Sequence, residues 1–128
     1  MTSQGHTTWY IPDGYLPPRD DTQSASGALV SHESVCVLNV SQNDANVILT
    51  FYFEEREPIR DIKCLVPAER TIHIRLDKPH MLGGAQIPTE VPYAVRVESD
   101  VPIIVQQSRL DVSQPNLALM TTMAFPAS

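Results

Sequence analysis

Apolar and polar residues alternate along most of this chain, and the alternation has a period of two. Between Asn46 and Glu54, Val47, Leu49, Phe51 and Phe53 fall on one face, with Asn46, Ile48, Thr50 and Tyr52 on the other. Successive side chains of a strand point to opposite faces, so this segment reads as a strand with one face in the core. Its half-polar second face is expected to carry an interface or to meet solvent. Ile62, Cys64 and Val66 alternate with Asp61, Lys63 and Leu65 in the same way. Arg70, Ile72, Ile74 and Leu76 alternate with Thr71, His73 and Arg75, and the short Pro67-Ala68-Glu69 connection predicts a hairpin between the two runs. Tyr93, Val95 and Val97 mark a strand over Tyr93 to Glu98. Ser99-Asp100 predicts a tight turn, and Ile103 to Leu110 the strand after it. Glu33 to Val40 is apolar at both parities, which predicts a central strand covered on both sides. A short strand over Thr7 to Ile11 is ended by Pro12. A last one runs from Leu117 to Phe125, with Leu119, Thr121, Met123 and Phe125 on one side.

Turn-forming residues separate these runs. Pro12 to Gly27 reads as loop, Ser41 to Asp44 as a turn and Asp77 to Pro92 as a long loop. About eight strands with a turn signal every 8–12 residues or so predict an all-β, antiparallel β-sandwich or jelly roll. No repeat or linker divides the chain, so one domain over residues 1–128 is expected, with residues 1–6 flexible.

Composition narrows the class further. The chain has 128 residues, and its 11 prolines interrupt it too often for long helices. Its 42% hydrophobic and 19% charged content is that of a folded globular protein. The net charge of −6 argues against nucleic-acid binding that rests on bulk charge, which needs a positive face to release counterions. The longest apolar runs, such as Val47-Ile48-Leu49, fall far short of the ~20 residues that span a bilayer. Met1 to His6 holds neither a basic n-region nor an apolar h-region, and Cys36 and Cys64 make no disulfide framework. A cytoplasmic location is expected from these features.

Catalytic chemistry finds little footing. His6, His32, His73 and His80 are not spaced as metal ligands, so neither metal nor cofactor is expected. Both cysteines lie inside strands, where they read as small buried hydrophobes, facing each other if their strands are neighbours. There is no nucleophile elbow, phosphate-binding glycine loop or dinucleotide fingerprint, and the chain is expected not to be an enzyme. Three groups remain. Trp9, Tyr10 and Tyr15 lie near Pro12, Pro17 and Pro18, which reads either as a stacking surface for a sugar or peptide or as a loop pinned by the only tryptophan. His32-Glu33 sets an imidazole beside a carboxylate at a strand start. Arg70, Arg75 and Arg109, with Gln106 near the last, place guanidinium groups on strands. Each needs an internal carboxylate such as Glu33 or Asp111, or else a ligand anion.

Several blocks occur in order: Trp9 with Gly14-Tyr15-Leu16-Pro17-Pro18, Ser31-His32-Glu33-Ser34-Val35-Cys36-Val37-Leu38-Asn39, Glu57-Pro58, Val66-Pro67-Ala68-Glu69-Arg70-Thr71, and Ser99 through Asp111. Together they resemble the soluble sensory rhodopsin transducer family, from Trp9 to Phe125. The resemblance implies a small cytoplasmic β-sandwich, assembled as a homotetramer, that docks to the cytoplasmic side of a photoreceptor rhodopsin and passes a signal onward. It also implies a fold akin to carbohydrate-binding sandwiches, and DNA binding has been proposed for the family. The expected binding surface therefore comprises Trp9, Tyr15, His32, Glu33, Arg70, Arg75, Gln106 and Arg109. A small-ligand binder for a sugar or organic anion is the alternative reading, and a DNA-linked regulator a weaker one.

Overall fold

The protein is represented by a computed structural model that describes residues 4–18, 30–112 and 117–128. It is all-β. In chain order the strands are β1 (His6–Gly14), β2 (His32–Asn39), β3 (Ala45–Phe53), β4 (Ile59–Val66), β5 (Arg70–Arg75), β6 (Tyr93–Asp111), β7 (Ala118–Met123) and β8 (Phe125–Pro126). All pairings are antiparallel. One sheet has the order β4-β3-β6-β1-β8, and the other places β2 between β5 and β6 with β7 on the far side of β6. Val47, Leu49, Phe51, Val95 and Val97 of the first sheet meet Val35, Val37, Ile74, Ile103 and Val105 of the second in one buried core. Two such faces packed together make the expected β-sandwich.

The two sheets are joined by β6, which departs from the expected pair of strands. Ser99-Asp100 does not close a tight turn. The strand runs on for 19 residues and changes sheet there, pairing Ser99 with Val47 in the first sheet and Ile104 with Leu38 in the second. The turn-forming residues serve the bend instead. Ser99 Oγ accepts the Val101 N–H at 3.2 Å, and the Asp100 carboxylate accepts both the backbone and side-chain N–H of Asn46 at 2.8 Å.

The hairpin expected at Pro67–Glu69 is also absent. β4 pairs only with β3 and β5 only with β2, so this connection crosses between the sheets. The crossing is held by polar contacts that alternation does not reveal. Buried Asn39 donates to the carbonyls of Asn43 at 2.8 Å, Val66 at 3.1 Å and Pro67 at 3.3 Å. Asp44 accepts the Ala68 N–H, and Glu69, at φ 55°, donates its N–H to Ser41 O.

Three boundaries also differ. β1 starts at His6, which the sequence placed in a flexible end, and continues through Pro12 to Gly14. β8 covers β1 only at Trp9 and Tyr10, and the β1–β6 ladder shifts register between Ile11 and Gly14. The missing N–H of Pro12 therefore interrupts no regular ladder. The rest of the predicted loop beyond Pro18, from residue 19 to Gly27, lies outside the described residues. The long loop over Asp77 to Pro92 contains one 3-10 turn at Pro79–Met81. The last strand breaks at Ala124, whose N–H donates to Val105 O, so that the chain passes from the second sheet to the first.

Finally, β2 is central in its sheet, but its second face is covered only in part. Val35 and Val37 of the first face are fully buried. On the second, Ser34 is buried and Cys36 half-buried, while Leu38 is 39% exposed and Val40, just past the strand, 44% exposed.

Candidate functional site

The Glu33 side chain accepts four hydrogen bonds. It lies on the inward parity of β2 with Val35, Val37 and Asn39, all of them fully buried. β2 pairs Glu33 with Arg109 and Val35 with Gln107 of β6, which brings both polar side chains of β6 to the carboxylate. Oε2 accepts from Arg109 Nε at 2.6 Å and from Gln107 Nε2 at 2.9 Å. Oε1 accepts the Tyr15 backbone N–H at 2.6 Å and the Tyr93 hydroxyl. Every contact is a donor to oxygen, the pattern of an ionised carboxylate. The Glu33 backbone carbonyl accepts the Leu76 N–H, and Gln107 also donates to Asp13 O. Glu33 thus ties β2 to the loop after β1, the loop after β5 and both halves of β6, and Gln107 adds the end of β1.

The electrostatics follow from burial. Burial disfavours the phenolate of Tyr93 and the Glu33 charge opposes it further, so the Tyr93 pKa is pushed above the usual phenol range. Burial also works against the Arg109 charge, but the hydrogen bond and charge of Glu33 more than offset it, and the Arg109 pKa is raised. Arg109 Nη2 has no aligned acceptor among the described residues. The Asp13 carboxylate stands 4.0 Å away, an ion-pair distance too long for a hydrogen bond.

The other expected site residues do not converge here. Trp9 is 5% exposed, and its indole N–H is shared between His6 O and Ile103 O at 3.0 Å each. It therefore pins β1 to β6 and offers no stacking face to a ligand. Tyr15 is exposed and reaches Glu33 only through its backbone. His32 is half-buried, with Nδ1 2.8 Å from Val30 O, and Gln106 sits beside Cys36 and Met123 on the outer face of the second sheet. Arg70 is exposed at the far end of β5, where it donates to Glu69 O. Arg75 grips Asp77 with two hydrogen bonds of 2.7 and 2.8 Å. Asp77 is buried, which raises its pKa, but the Arg75 hydrogen bonds and charge prevail and lower it. The expected internal pairing of the arginines is met by Glu33 for Arg109 and by Asp77, not Asp111, for Arg75. Cys36 and Cys64 do not face each other. They lie on different sheets, Cys36 near Ser108 Oγ and Cys64 near Met81 O, and burial pushes the Cys64 thiol pKa up.

Alternation does not single out two participants. The parity of Tyr93 with Val95 and Val97 says nothing of its hydroxyl, and Gln107 carries no motif. A signal existed for Gln107. It shares parity with Ile103 and Val105, so a polar side chain stands on the inward face of a strand and must find partners there.

The exposed apolar residues form a separate feature. All six residues of β7 are exposed, on both of its faces. Leu117, Leu119, Met120, Met123 and Phe125 are between 45% and 71% exposed. The segment from Leu117 to Ser128 carries no charged side chain. Natural edge strands are usually protected by charges, prolines or bulges, and β7 has none of these along its length. Among the described residues no group of three or more His, Cys, Asp or Glu side chains could hold a metal ion, and no helix is long and apolar enough to cross a membrane.

Known structures share this architecture. A Thermotoga maritima crystal structure, that of protein 1070, superposes with a TM-score of 0.82 at 38% identity, covering 97% of each chain. The Anabaena sensory rhodopsin transducer superposes with a TM-score of 0.74 at 39% identity, covering 86% of this chain and 92% of its own. Among curated proteins, none matches. The family profile described as Anabaena sensory rhodopsin transducer matches residues 4–126, nearly the whole chain. On this match the chain belongs to the Anabaena sensory rhodopsin transducer family.

Proposed function

We propose that this protein is a non-enzymatic cytoplasmic signalling module that works by docking, to copies of itself in a homotetramer and to the cytoplasmic face of a membrane photoreceptor. The observation that carries this reading is the uncharged, two-sided apolar strand β7 with its continuation at Phe125. Exposed apolar patches rimmed by polar surface mark interaction sites on stable proteins. Burying Leu119 and Met123 fully against a partner would contribute about 1.5–3 kcal/mol each. The exposed Leu38 of β2 lies on the same sheet, with β6 between it and β7. Family membership supports a rhodopsin as the membrane partner.

Flotation of the chain with lipid vesicles carrying Anabaena sensory rhodopsin tests the docking. Recovery with rhodopsin vesicles well above that with protein-free vesicles is expected. Equal recovery from the two would refute a rhodopsin partner.

A second reading has one observation in its favour. A cavity of about 260 Å³ opens beside the Glu33 cluster, walled by Leu16, Pro17, Leu76, Pro79 and Ile87, with Ser31 and Asp77 at its polar side. Such a site suits a small ligand with an apolar body and a hydrogen-bonding end, as a sugar or organic acid presents. Ligands that bind the native state raise its melting temperature. A thermal-shift screen of sugars and carboxylates at millimolar concentration tests this, and no shift with any of them would remove it.

A further inference from the structure

The phase of the β7 ladder fixes where the backbone of this strand points. The register pairs Met123 with Gln106, and one step further the Ala124 N–H donates to Val105 O at 3.1 Å. Bonded and non-bonded pairs alternate along an antiparallel ladder. Val105 and Ala124 are a bonded pair, and so are Gln107 with Thr122 and Arg109 with Met120. Leu119, Thr121 and Met123 stand in the non-bonded pairs, so their N–H and C=O groups turn away from β6. The far edge of the sheet gives the same phase. The Leu76 N–H bond to Glu33 O turns Val35 and Val37 toward β5, which turns Cys36 and Gln106 toward each other and leaves Val105 and Gln107 facing β7. Among the described residues β7 pairs with β6 alone, so its outer edge is an unpaired row of peptide groups.

The other sheet edges among the described residues are guarded against pairing. β4 carries Arg60, Asp61 and Lys63, β5 carries Arg70 and Arg75, and β8 is two residues long and ends in a proline. Charges, prolines and short length are the usual protections of a free edge, and β7 lacks all three. Its side chains and its edge cannot be buried separately. Thr121 lies between Leu119 and Met123 on one face, so covering those two against a partner takes the peptide groups between them out of water as well. A buried N–H or C=O without a partner is costly. A second strand edge supplies donors and acceptors in a row at the matching spacing.

We propose that copies of this chain join by strand addition: the outer edge of β7, at Leu119, Thr121 and Met123, forms backbone hydrogen bonds with a sheet edge of a second copy, and a sheet continues across the contact. The inference rests on the docking reading above and specifies the bonds that make the dock. A second copy is the occupant that charge favours. The segment from Leu117 to Ser128 has no charge to attract or orient a basic or acidic partner, and none to repel its own copy.

Amide hydrogen exchange of the wild-type protein, read residue by residue by nuclear magnetic resonance, tests the edge. The Met120 and Thr122 amides, bonded to β6, are protected in a single chain already. The Leu119, Thr121 and Met123 amides are expected to exchange about a hundredfold or more slower than an open peptide once copies have assembled. Thr121→Pro removes one outward N–H and leaves the β6 ladder whole, while Thr121→Ala keeps that N–H and trims the same side chain. Sedimentation of the two variants is expected to show association weakened about tenfold or more by Thr121→Pro and less than about threefold by Thr121→Ala. Outward amides that exchange as fast as an open peptide in an assembled wild type would overturn the proposal and leave the copies joined through side chains alone. So would a Thr121→Pro protein that assembles as firmly as Thr121→Ala. A wild type that stays monomeric would overturn the docking between copies together with it.

Discussion

Glu33→Gln is the substitution whose cost the structure determines most sharply. It keeps the shape of the side chain and removes its charge. Four donors converge on the carboxylate, two on each oxygen. An amide offers one acceptor oxygen and one N–H₂ group. If its oxygen serves Tyr15 and Tyr93, its N–H₂ faces the donors of Gln107 and Arg109. Gln107 can turn its own amide and present oxygen, but it then loses the bond to Asp13 O. Arg109 has no acceptor to offer, and its part-buried Nε–H is left facing another donor. Removing one partner of a buried ion pair costs about 3–5 kcal/mol. Arg109 is 30% exposed and keeps the Asp13 carboxylate at 4.0 Å, so the lower end, about 3 kcal/mol, applies. That is a large share of the total stability of about 5–15 kcal/mol usual for a domain. Urea denaturation followed by tryptophan fluorescence reads it directly, since Trp9 is buried in β1. With a slope of about 1.5 kcal/mol per molar, a loss of 3 kcal/mol moves the midpoint down by about 2 M. Adding Arg109→Met should recover part of the loss, since an apolar replacement removes the orphaned charge. A midpoint shift below about 0.3 M for Glu33→Gln would refute the assignment of Glu33 as the central tie.

Other substitutions probe other parts of the account. Asp77 has a lowered pKa in the folded chain, so its pairing with Arg75 stabilises the fold above the unfolded carboxylate pKa near ~3.9, and that contribution is lost as pH falls through the folded value. Asp77→Asn should therefore cost about 1 kcal/mol at neutral pH, and its denaturation midpoint should converge on that of the wild type in strong acid. Gly14 lies against the Tyr93 ring, and a methyl group there would overlap it. Gly14→Ala should lower the melting temperature through a loss of about 1–3 kcal/mol, the usual cost of overpacking. Phe51 is fully buried in the centre of the core, and Phe51→Ala should cost about 3–5 kcal/mol in urea denaturation.

Much of this architecture is legible in alternation alone. The buried faces of β3, β4 and β5 follow the predicted parities, because a half-buried strand writes its orientation into every second residue. Which strands pair is another matter. Pro67-Ala68-Glu69 looks like a hairpin, yet the side chain of Asn39, distant in sequence, ties it into a crossing between sheets. Ser99-Asp100 looks like a turn, yet both residues serve a bend within one continuous strand. In each case the local residues permit several geometries, and contacts from another segment select one. The same holds at the site. Glu33 and Arg109 stand out as charges on strands, but their pairing depends on the β2–β6 register. Trp9 attracts notice as the only tryptophan, and the structure gives it a buried role that composition could not distinguish from an exposed one. The exposure of β7 could not be read either, since Leu119, Thr121 and Met123 alternate like core residues.

That unexpected exposure makes the account refutable at one point. If the uncharged strand β7 is a docking surface between copies of this chain, a positive charge at two of its exposed apolar residues, Leu119 and Met123, should prevent assembly without unfolding the core. Sedimentation velocity of the wild type and of a Leu119→Lys, Met123→Lys variant at micromolar concentration measures this. The account predicts a wild type several times heavier than the 14.2 kDa chain and a variant that sediments as a single folded chain. A wild type that sediments as a monomer, or a variant assembled to the same size as the wild type, would contradict it.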